Sequence, residues 1–300
     1  MLGCGASLRG AYMPNGIIII DKPSDWTSMD VCAKIRGILR EKRVGHGGTL
    51  DPMATGVLPV FVGQATRAVE FAENGRKEYV AGLRLGQVTN TQDVTGETLE
   101  THPVAASRAD VEAALIRFLG DIEQIPPMYS AIKVGGQKLY DLARKGQEVA
   151  RKPRPVTIYE LELLEQQSET DYLIRCVCSK GTYIRTLCHD IGQLLGCGAT
   201  LYSLRRTMAA GFTLKQAVTL ADVQEKGEAL LLPVDGFFAE HPALKLPNAR
   251  LDRLCRCGNP LTLPGTADGT YRIYGQNGDF LCLSRAKDGT LTSIKNFFGA

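Results

Sequence analysis

The sequence lacks the features of a membrane, secreted or metal-binding protein. The longest apolar run near the N-terminus is Ile17 to Ile20, far short of the ~20 residues that cross a bilayer, and no apolar segment resembles a secretory signal. The nine cysteines are an odd number spread over the whole chain. Cys176 and Cys178, like Cys255 and Cys257, are separated by one residue and have no accompanying histidine pair, so they do not match usual zinc spacing. We therefore expect free thiols in a reducing cytoplasm and no metal.

Motifs for common cofactors are also missing. No Gly-Lys-Ser/Thr follows the glycine-rich segment near residue 47, which excludes a phosphate-binding P-loop. The net charge of +3 is only mildly basic, so it permits an RNA partner without arguing for one. The length of 300 residues and the 44% hydrophobic content predict one large domain and a small second one. The first twelve residues are expected to be a disordered extension or the product of an upstream start, and we assign them no function.

Strands and helices alternate irregularly along the first 245 residues. An isoleucine-rich strand is predicted at Gly16 to Asp21, and Thr27 and Asp30 form a capping-box pattern at the start of a helix. A second capped helix begins at Ser107. Alternating apolar residues predict a further strand at Tyr79 to Leu85. We also predict strands at 156–164 and 172–179. This order lacks the strict repeat of a doubly wound fold and predicts an α+β domain with a mixed, mainly antiparallel sheet and flanking helices.

The sequence changes character after Pro242. Short strands punctuated by glycine turns are predicted at Thr270 to Tyr274, Phe280 to Ser284 and Leu291 to Lys295. This pattern is typical of a small β-barrel. We therefore expect a main domain over residues 13–245 and a small second domain over residues 246–300.

The segment from Gly45 to Pro59 is the most unusual in the chain. Three glycines within four residues allow close approach of the backbone to a ligand, and Pro52 fixes the turn directly after Asp51. Asp-Pro is also a common turn, and local physics alone slightly favours that structural interpretation.

The same segment fills every fixed position of the pattern Gly-His-x-Gly-x-Leu-Asp-Pro-x-Ala-x-Gly-x-Leu. It resembles the catalytic motif of the bacterial tRNA pseudouridine(55) synthase (TruB) family. Further motifs of that family follow in order between about Gly16 and Leu220; they lie at residues 21–28, 77–79, 128–140, 180–185 and 204–206.

The resemblance implies a pseudouridine synthase fold with a C-terminal RNA-binding module of the PUA kind. It also implies an enzyme that isomerises uridine to pseudouridine at position 55, in the T-arm loop of tRNA. The nucleotide must first be flipped out of the RNA, and the glycosidic bond is then cleaved and re-formed. This reaction is redox-neutral and imports no group, so no cofactor is expected.

The resemblance also assigns the site. Asp51 matches the nucleophile, Arg185 the arginine that pairs with it through a fork of hydrogen bonds, and Tyr79 the tyrosine that stacks on the uracil. Tyr183 and Leu204 match positions lining the uracil pocket. Taken alone, each would be read as a core or surface residue. Whether Asp51 attacks C1′ or removes the 2′ proton stays open.

Several residues are candidates for contact with the RNA. His46 matches a family histidine near the flipped nucleotide, and we expect it to bind rather than to transfer protons. Candidate phosphate contacts are Lys22, Lys133, Arg205 and Arg206, with Lys152 and Arg154 as weaker choices. Each of these cations could equally be solvated. The expected partner is the T-arm of tRNA; with RNA as the partner, we expect a monomer that needs no protein partner.

Three positions depart from the usual family pattern. Asp25 stands where glycine is frequent, Gly47 where threonine is frequent and Asn90 where aspartate is usual. Two rival functions remain. One is a tRNA-binding or folding protein in which catalysis is secondary. The other is the catalytic subunit of an RNA-guided particle, which would be expected to carry long basic tails that this chain lacks.

Overall fold

The computed structural model describes residues 13–130 and 132–298. The predicted extension at residues 1–12 lies outside the described residues. Within those ranges no helix is both long and apolar enough to cross a membrane, and all the cysteines are free thiols.

The main domain contains thirteen strands in the described chain. Their bounds are β1 (Gly16–Lys22), β2 (Val44–His46), β3 (Thr55–Val62), β4 (Lys77–Leu85), β5 (Gln87–Thr89), β6 (Thr98–Thr101), β7 (Gly120–Gln124), β8 (Lys133–Val134), β9 (Gln137–Lys138), β10 (Arg154–Gln166), β11 (Asp171–Cys178), β12 (Ala199–Ala209) and β13 (Phe212–Thr213). The central sheet has the order β1-β3-β12-β4-β11-β10-β7, with β2 on β3 and β13 on β12. Among the strand pairings of this sheet in the described residues, only β12–β3 is parallel. The prediction of a mixed, mainly antiparallel sheet is confirmed.

Six helices of the described chain accompany this sheet. They are α1 (Ser28–Leu39), α2 (Val69–Asn74), α3 (Arg108–Ile116), α4 (Leu139–Ala143), α5 (Ile184–Leu194) and α6 (Leu220–Lys226). Both predicted capping boxes are present: Thr27 with Asp30 starts α1, and Ser107 with Asp110 starts α3. Each satisfies backbone N–H groups that the first helical turn leaves unpaired. The apolar faces of α1, α3 and α5 pack on the sheet in one large core. Helix α3 ends at Ile116, and Leu119, three residues further on, is exposed.

The connection between β7 and β10 forms a separate small unit. It contains the two-stranded β8–β9 ladder and α4. Met128, Leu139 and Leu142 form its own apolar cluster. This unit is attached to the edge of the main sheet and does not share its core.

A second sheet follows. Its strands are β14 (Ala243–Lys245), β15 (Leu261–Thr262), β16 (Gly269–Tyr274), β17 (Phe280–Lys287) and β18 (Thr290–Asn296), in the order β14-β16-β17-β18-β15. The predicted strands are present, and the sheet begins just before the predicted boundary at residue 246. Among the described residues β14 and β15 do not pair, so closure into a barrel is not confirmed.

The second sheet also carries a helix that the sequence analysis missed. Helix α7 (Ala249–Arg256) starts at Asn248, whose side-chain oxygen accepts a hydrogen bond from the Leu251 amide at 3.0 Å. Leu251, Leu254 and Cys255 pack on the second sheet. Their i, i+3, i+4 spacing marks a narrow apolar helix face. The sequence analysis did not predict this helix because it interpreted the region after Pro242 as short strands separated by glycine turns.

The two sheets share a cluster of phenylalanines. Phe238 lies near the end of the main domain, and its ring centroid lies 5.5 Å from that of Phe297 on the second sheet. The rings of Phe280 and Phe297 stack with centroids 5.2 Å apart. Outside this cluster, Lys295 pairs with Glu70 at 2.6 Å. Apolar and charged contacts therefore fasten the second sheet to the first.

Candidate active site

Asp51 lies on the loop between β2 and β3. Hydrogen bonds of the backbone amides fix this loop. The Leu50 amide donates to the Ser28 side-chain Oγ at 2.9 Å, and the Ala54 amide donates to the Asp51 carbonyl at 3.0 Å. The Asp25 amide donates to the Pro52 carbonyl at 2.9 Å, and Asp25 has φ 66°. Aspartate tolerates this left-handed conformation, so the first departure from the family pattern keeps the turn.

Arg185 lies beside Asp51, as the resemblance implies. It sits in the first turn of α5, is only 4% exposed, and its Nε is 2.9 Å from Asp51 Oδ2. The predicted pair of parallel hydrogen bonds from the guanidinium to the Asp51 carboxylate is wrong, because the terminal nitrogens bind backbone carbonyls. Nη1 donates to the Thr91 carbonyl at 3.0 Å and Nη2 to the Tyr129 carbonyl at 2.9 Å. The terminal nitrogens thus orient the guanidinium through the backbone, and Nε faces Asp51.

A second carboxylate, Asp93, was missed by the sequence analysis. Its Oδ2 lies 3.4 Å from Arg185 Nη1, and it is buried. Its Oδ1 accepts hydrogen bonds from Thr91 Oγ1 at 2.9 Å and from the Thr95 amide at 3.0 Å. The alternation of Thr91, Asp93 and Thr95 before a glycine is the sequence signal for such a turn. Arg185 therefore lies between two carboxylates, one fixed and one partly open.

The surroundings of Asp51 act on its ionisation in opposite directions. Burial is the largest effect and raises the pKa of Asp51; the Arg185 charge opposes that rise and the Asp93 charge adds to it. The side chain still keeps 38% of its surface exposed. One side of a carboxylate with a raised pKa is thus accessible from outside.

The three predicted pocket residues lie on three different elements of the main domain. Tyr79 on β4 is buried, and burial raises its pKa to about 12. Tyr183 caps α5, where its amide donates to Gln124 Oε1 at 3.0 Å. Leu204 on β12 is buried in the main core. Tyr183 lies within electrostatic range of Asp51 and Arg185, and Tyr79 and Leu204 belong to the same core cluster as Leu50, which precedes Asp51.

His46 ends β2 and is half-buried. Its Nδ1 is buried without a hydrogen-bond partner among the described residues. Burial and the nearby charge of Arg206 lower the pKa of His46. The ring is therefore neutral at physiological pH, which suits the predicted binding role.

Lys22 is not a phosphate contact. The side chain is fully buried, and Nζ donates to three carbonyls: Pro23 at 2.8 Å, Trp26 at 2.6 Å and Pro52 at 3.1 Å. Burial lowers its pKa to about 8. An ammonium group that backbone carbonyls enclose cannot reach RNA, and it instead fastens the loop next to Asp51.

Arg206 is likewise wrongly predicted as a phosphate contact, because it is 1% exposed. Its neighbour Arg205 points the other way on β12 and is 43% exposed, with Nη2 2.8 Å from Asp21 Oδ2. Alternating side chains on a strand face opposite sides. Arg205 stays a candidate contact, already engaged by one carboxylate.

Three other predicted cations lie together. Lys133, Lys152 and Arg154 are exposed and line one cavity of about 250 Å³, together with Arg151. Arg151 donates to the Pro126 carbonyl at 3.2 Å. The fold therefore collects basic side chains at the junction of the β7–β10 connection and β10.

Two departures from the family pattern have clear surroundings. A Cβ on Gly47 would lie 2.7 Å from Ala72 Cβ, so a threonine here would require the loop or α2 to move. Asn90 accepts a hydrogen bond from the Glu97 amide at 3.1 Å. Its amide side chain supports the turn between β5 and β6 without a charge.

The fold that carries this site is that of pseudouridine synthases. A solved structure described as a Cbf5-Nop10-Gar1 complex matches with a TM-score of 0.72 and 27% sequence identity. The match covers 94% of this chain and 85% of that one. A structure of an H/ACA RNP bound to a substrate RNA containing 2′-deoxyuridine matches with a TM-score of 0.69, at 26% identity over 95% of this chain and 85% of that one.

Sequence comparison gives the family. Residues 36–184 match the N-terminal domain of the TruB family pseudouridylate synthases, and residues 185–238 match the tRNA pseudouridylate synthase B C-terminal domain. The tRNA pseudouridine synthase B of Alkaliphilus oremlandii (strain OhILAs) is 49% identical over 264 residues, covering 87% of this chain and 88% of the relative. That of Pseudomonas fluorescens (strain Pf0-1) is 43% identical, covering 91% and 92%. The chain belongs to the TruB family and is an isomerase.

Proposed function

We propose that this chain converts the uridine at position 55, in the T-arm loop of tRNA, into pseudouridine, with Asp51 as the nucleophile. Relatives named tRNA pseudouridine synthase B support tRNA as the substrate. The 2.9 Å contact between Asp51 and Arg185 carries the proposal, because it places a partly open carboxylate beside a buried, oriented guanidinium.

The reaction breaks the bond from ribose C1′ to uracil N1 and forms a bond from C1′ to C5. The base turns between these steps, C5 loses a proton and N1 gains one. Both candidate first steps, attack on C1′ and removal of the 2′ proton, require Asp51 to be ionised. Burial opposes ionisation, and the Arg185 charge favours it. Arg185 thus keeps a buried carboxylate usable at neutral pH.

The target nucleotide reaches Asp51 only when it leaves the RNA stack, at a cost of a few kcal/mol. Stacking of the uracil on Tyr79 offsets part of this cost. Tyr183 and Leu204 line the pocket, and the neutral ring of His46 contacts the RNA loop that the nucleotide leaves. Contacts of the exposed cations Lys133, Lys152 and Arg154 with phosphates hold the T-arm.

We further propose that residues 13–245 form the catalytic domain, and that residues 246–300 form an RNA-binding module of the PUA kind. Exposed Arg285 and Lys287 on β17 are available for phosphates. We also propose that the enzyme acts in the cytoplasm as a monomer, with RNA and no protein as its partner.

The proposal is preferred over a tRNA-folding protein in which catalysis is secondary. A protein that only unfolds the arm does not require a buried guanidinium beside an accessible carboxylate. An RNA-guided subunit is disfavoured because the relatives named tRNA pseudouridine synthase B are 43–49% identical to this chain, whereas the chains of the Cbf5-Nop10-Gar1 complex and the H/ACA RNP are 26–27% identical.

The decisive experiment is the variant Asp51→Asn. The amide keeps the size of the side chain but removes the nucleophile, so we expect single-turnover pseudouridine formation to fall by about a thousandfold or more. The substrate is an unmodified tRNA transcript, and chemical mapping locates the product. Binding should stay within a few-fold of wild type.

Asp190→Asn is the matched control. Asp190 lies on the same helix as Arg185 and is half-buried, and burial raises its pKa to about 6. Normal turnover is expected for this control. Retained turnover in Asp51→Asn, or a product at a position other than 55, would contradict the proposal.

A further inference from the structure

Arg206 is a buried guanidinium without a carboxylate partner among the described residues. It binds backbone carbonyls: Nε donates to Val57 at 2.7 Å, Nη2 to Gly48 at 3.1 Å and Nη1 to Thr49 at 3.5 Å. Burial of an unpaired charge is costly, and apolar side chains of similar size often stabilise a fold as well or better. Stability alone therefore does not account for an arginine here.

The three carbonyls lie on both sides of Asp51 in the chain. Gly48 and Thr49 precede it on the loop, and Val57 follows on β3. One guanidinium thus joins the beginning of the catalytic loop to the strand that leaves it. The planar donors fix a direction as well as a distance.

The backbone of Arg206 makes a second contact with the same loop. Arg206 pairs with Gly56 in the parallel β12–β3 ladder. Gly56 has φ 101°, and a Cβ there would lie 2.2 Å from the Arg206 carbonyl oxygen. Only glycine fits this approach. Strand β12 therefore holds the loop through the main chain and the side chain of one residue.

Arg206 also neighbours other residues of the site. It lies opposite Tyr79 in the antiparallel β12–β4 ladder. Its charge opposes the burial that raises the pKa of Tyr79, and it adds to the burial that lowers the pKa of His46. The loop, Tyr79 and His46 thus all surround one guanidinium.

We propose that Arg206 is a positioning residue for the reaction: its guanidinium sets the loop so that Asp51 faces Arg185 and Tyr79. The proposal rests on the proposed role of Asp51. Arg206 itself touches no substrate, because loop carbonyls cover it.

The test compares Arg206→Lys and Arg206→Met with wild type. Lysine keeps the charge but cannot donate to Gly48 and Val57 in one plane. We expect the single-turnover rate of Arg206→Lys to fall at least thirtyfold at saturating enzyme, with tRNA affinity within threefold and a melting temperature close to wild type. Arg206→Met should lose more activity, and the NMR-monitored pKa of His46 should rise because a positive neighbour is removed.

Arg175→Met is the matched control. Arg175 lies on β11 of the same sheet, but it binds Glu78 at 2.6 Å and Glu160 at 2.7 Å and is partly exposed. Its loss should leave the single-turnover rate unchanged. This control separates damage to the sheet from displacement of the loop.

A wild-type rate in folded Arg206→Lys would overturn the proposal. Failure of both Arg206 variants to fold would also overturn it, because Arg206 would then be required only for folding. An equal loss of affinity and rate would also overturn it. The proposed function fails by a different result, namely turnover in Asp51→Asn. The two ideas are therefore judged by different variants.

Discussion

Two of the arginine–aspartate pairs in the main domain, Arg84–Asp171 and Arg185–Asp51, have opposite properties. Arg84 forms a bidentate ion pair with Asp171: Nε donates to Oδ1 and Nη2 donates to Oδ2, both at 2.8 Å. This pair lowers the pKa of Asp171. Arg185 offers Asp51 only Nε, since backbone carbonyls occupy its terminal nitrogens, and the pKa of Asp51 is raised. The same two kinds of side chain thus form a closed, doubly hydrogen-bonded pair in one place and a partly open pair in the other.

Burial and competing partners cause this difference. Arg84 is 40% exposed, so solvent and a complete fork both favour the charged carboxylate. Arg185 is buried and shared among Asp51, Asp93 and two carbonyls. Because Asp51 shares its arginine with other acceptors, it is a stronger base than Asp171, and one side of its carboxylate stays accessible. The geometry of the second pair is therefore suited to chemistry and that of the first to stability.

The largest difference is expected when lysine replaces each arginine. Arg185→Lys should slow single-turnover pseudouridine formation by about a hundredfold, because an ammonium cannot serve Asp51, Thr91 and Tyr129 in the directions of the guanidinium. Arg84→Lys should change the rate less than about twofold. Both rates are measured with excess enzyme on the same transcript. Similar losses in the two variants would remove the functional distinction between the pairs.

The pH dependence provides a second comparison. A raised pKa means that Asp51 is protonated as the pH falls through a value above 3.8, the ordinary pKa of an aspartate. The wild-type rate should therefore decline on the acid side with an apparent pKa above that value. Arg185→Met removes the charge that opposes burial and should move this decline to higher pH. A pH–rate profile measures both; an unchanged or lower midpoint in the variant would contradict the electrostatic account.

The smallest effect is expected from Asp171→Asn. The lowered pKa of Asp171 means that its pairing contributes stability above the unfolded-state pKa and loses it as the pH falls through the folded-state pKa. Because the pair is exposed, the loss at neutral pH should be at most about 1 kcal/mol. Urea unfolding at pH 7 and at pH 3 measures it. The variant and wild type should converge at low pH; a constant difference would argue against ionisation as the cause.

Local sequence rules were sufficient for much of the fold. Thr27 with Asp30 and Ser107 with Asp110 predicted the helix starts, since a capping box depends only on residues three apart. The alternation from Tyr79 to Leu85 predicted a strand, and the structure buries the side that the pattern indicates. Asp51 and Arg185 needed the family resemblance, because 134 positions separate them in the chain.

The errors have a common physical origin. Lys22 and Arg206 were expected at the surface because cations are usually solvated. Their burial depends on carbonyls that the folded loop supplies, Pro52 for Lys22 and Gly48 and Val57 for Arg206. Asp93 was missed for a similar reason, since its partner Arg185 comes from a distant helix. No spacing rule reports such tertiary partners.

The phenylalanine cluster between the sheets has an entropic consequence. Phe238, Phe280 and Phe297 join the second sheet to the first through packed rings rather than through a flexible linker. The distance between the Asp51 loop and β17 is then set during folding. An RNA that contacts both surfaces therefore does not bear the entropic cost of fixing the two domains relative to each other. Under the proposed function, the two surfaces therefore form a preorganised site with a fixed spacing, which favours RNA of matching length.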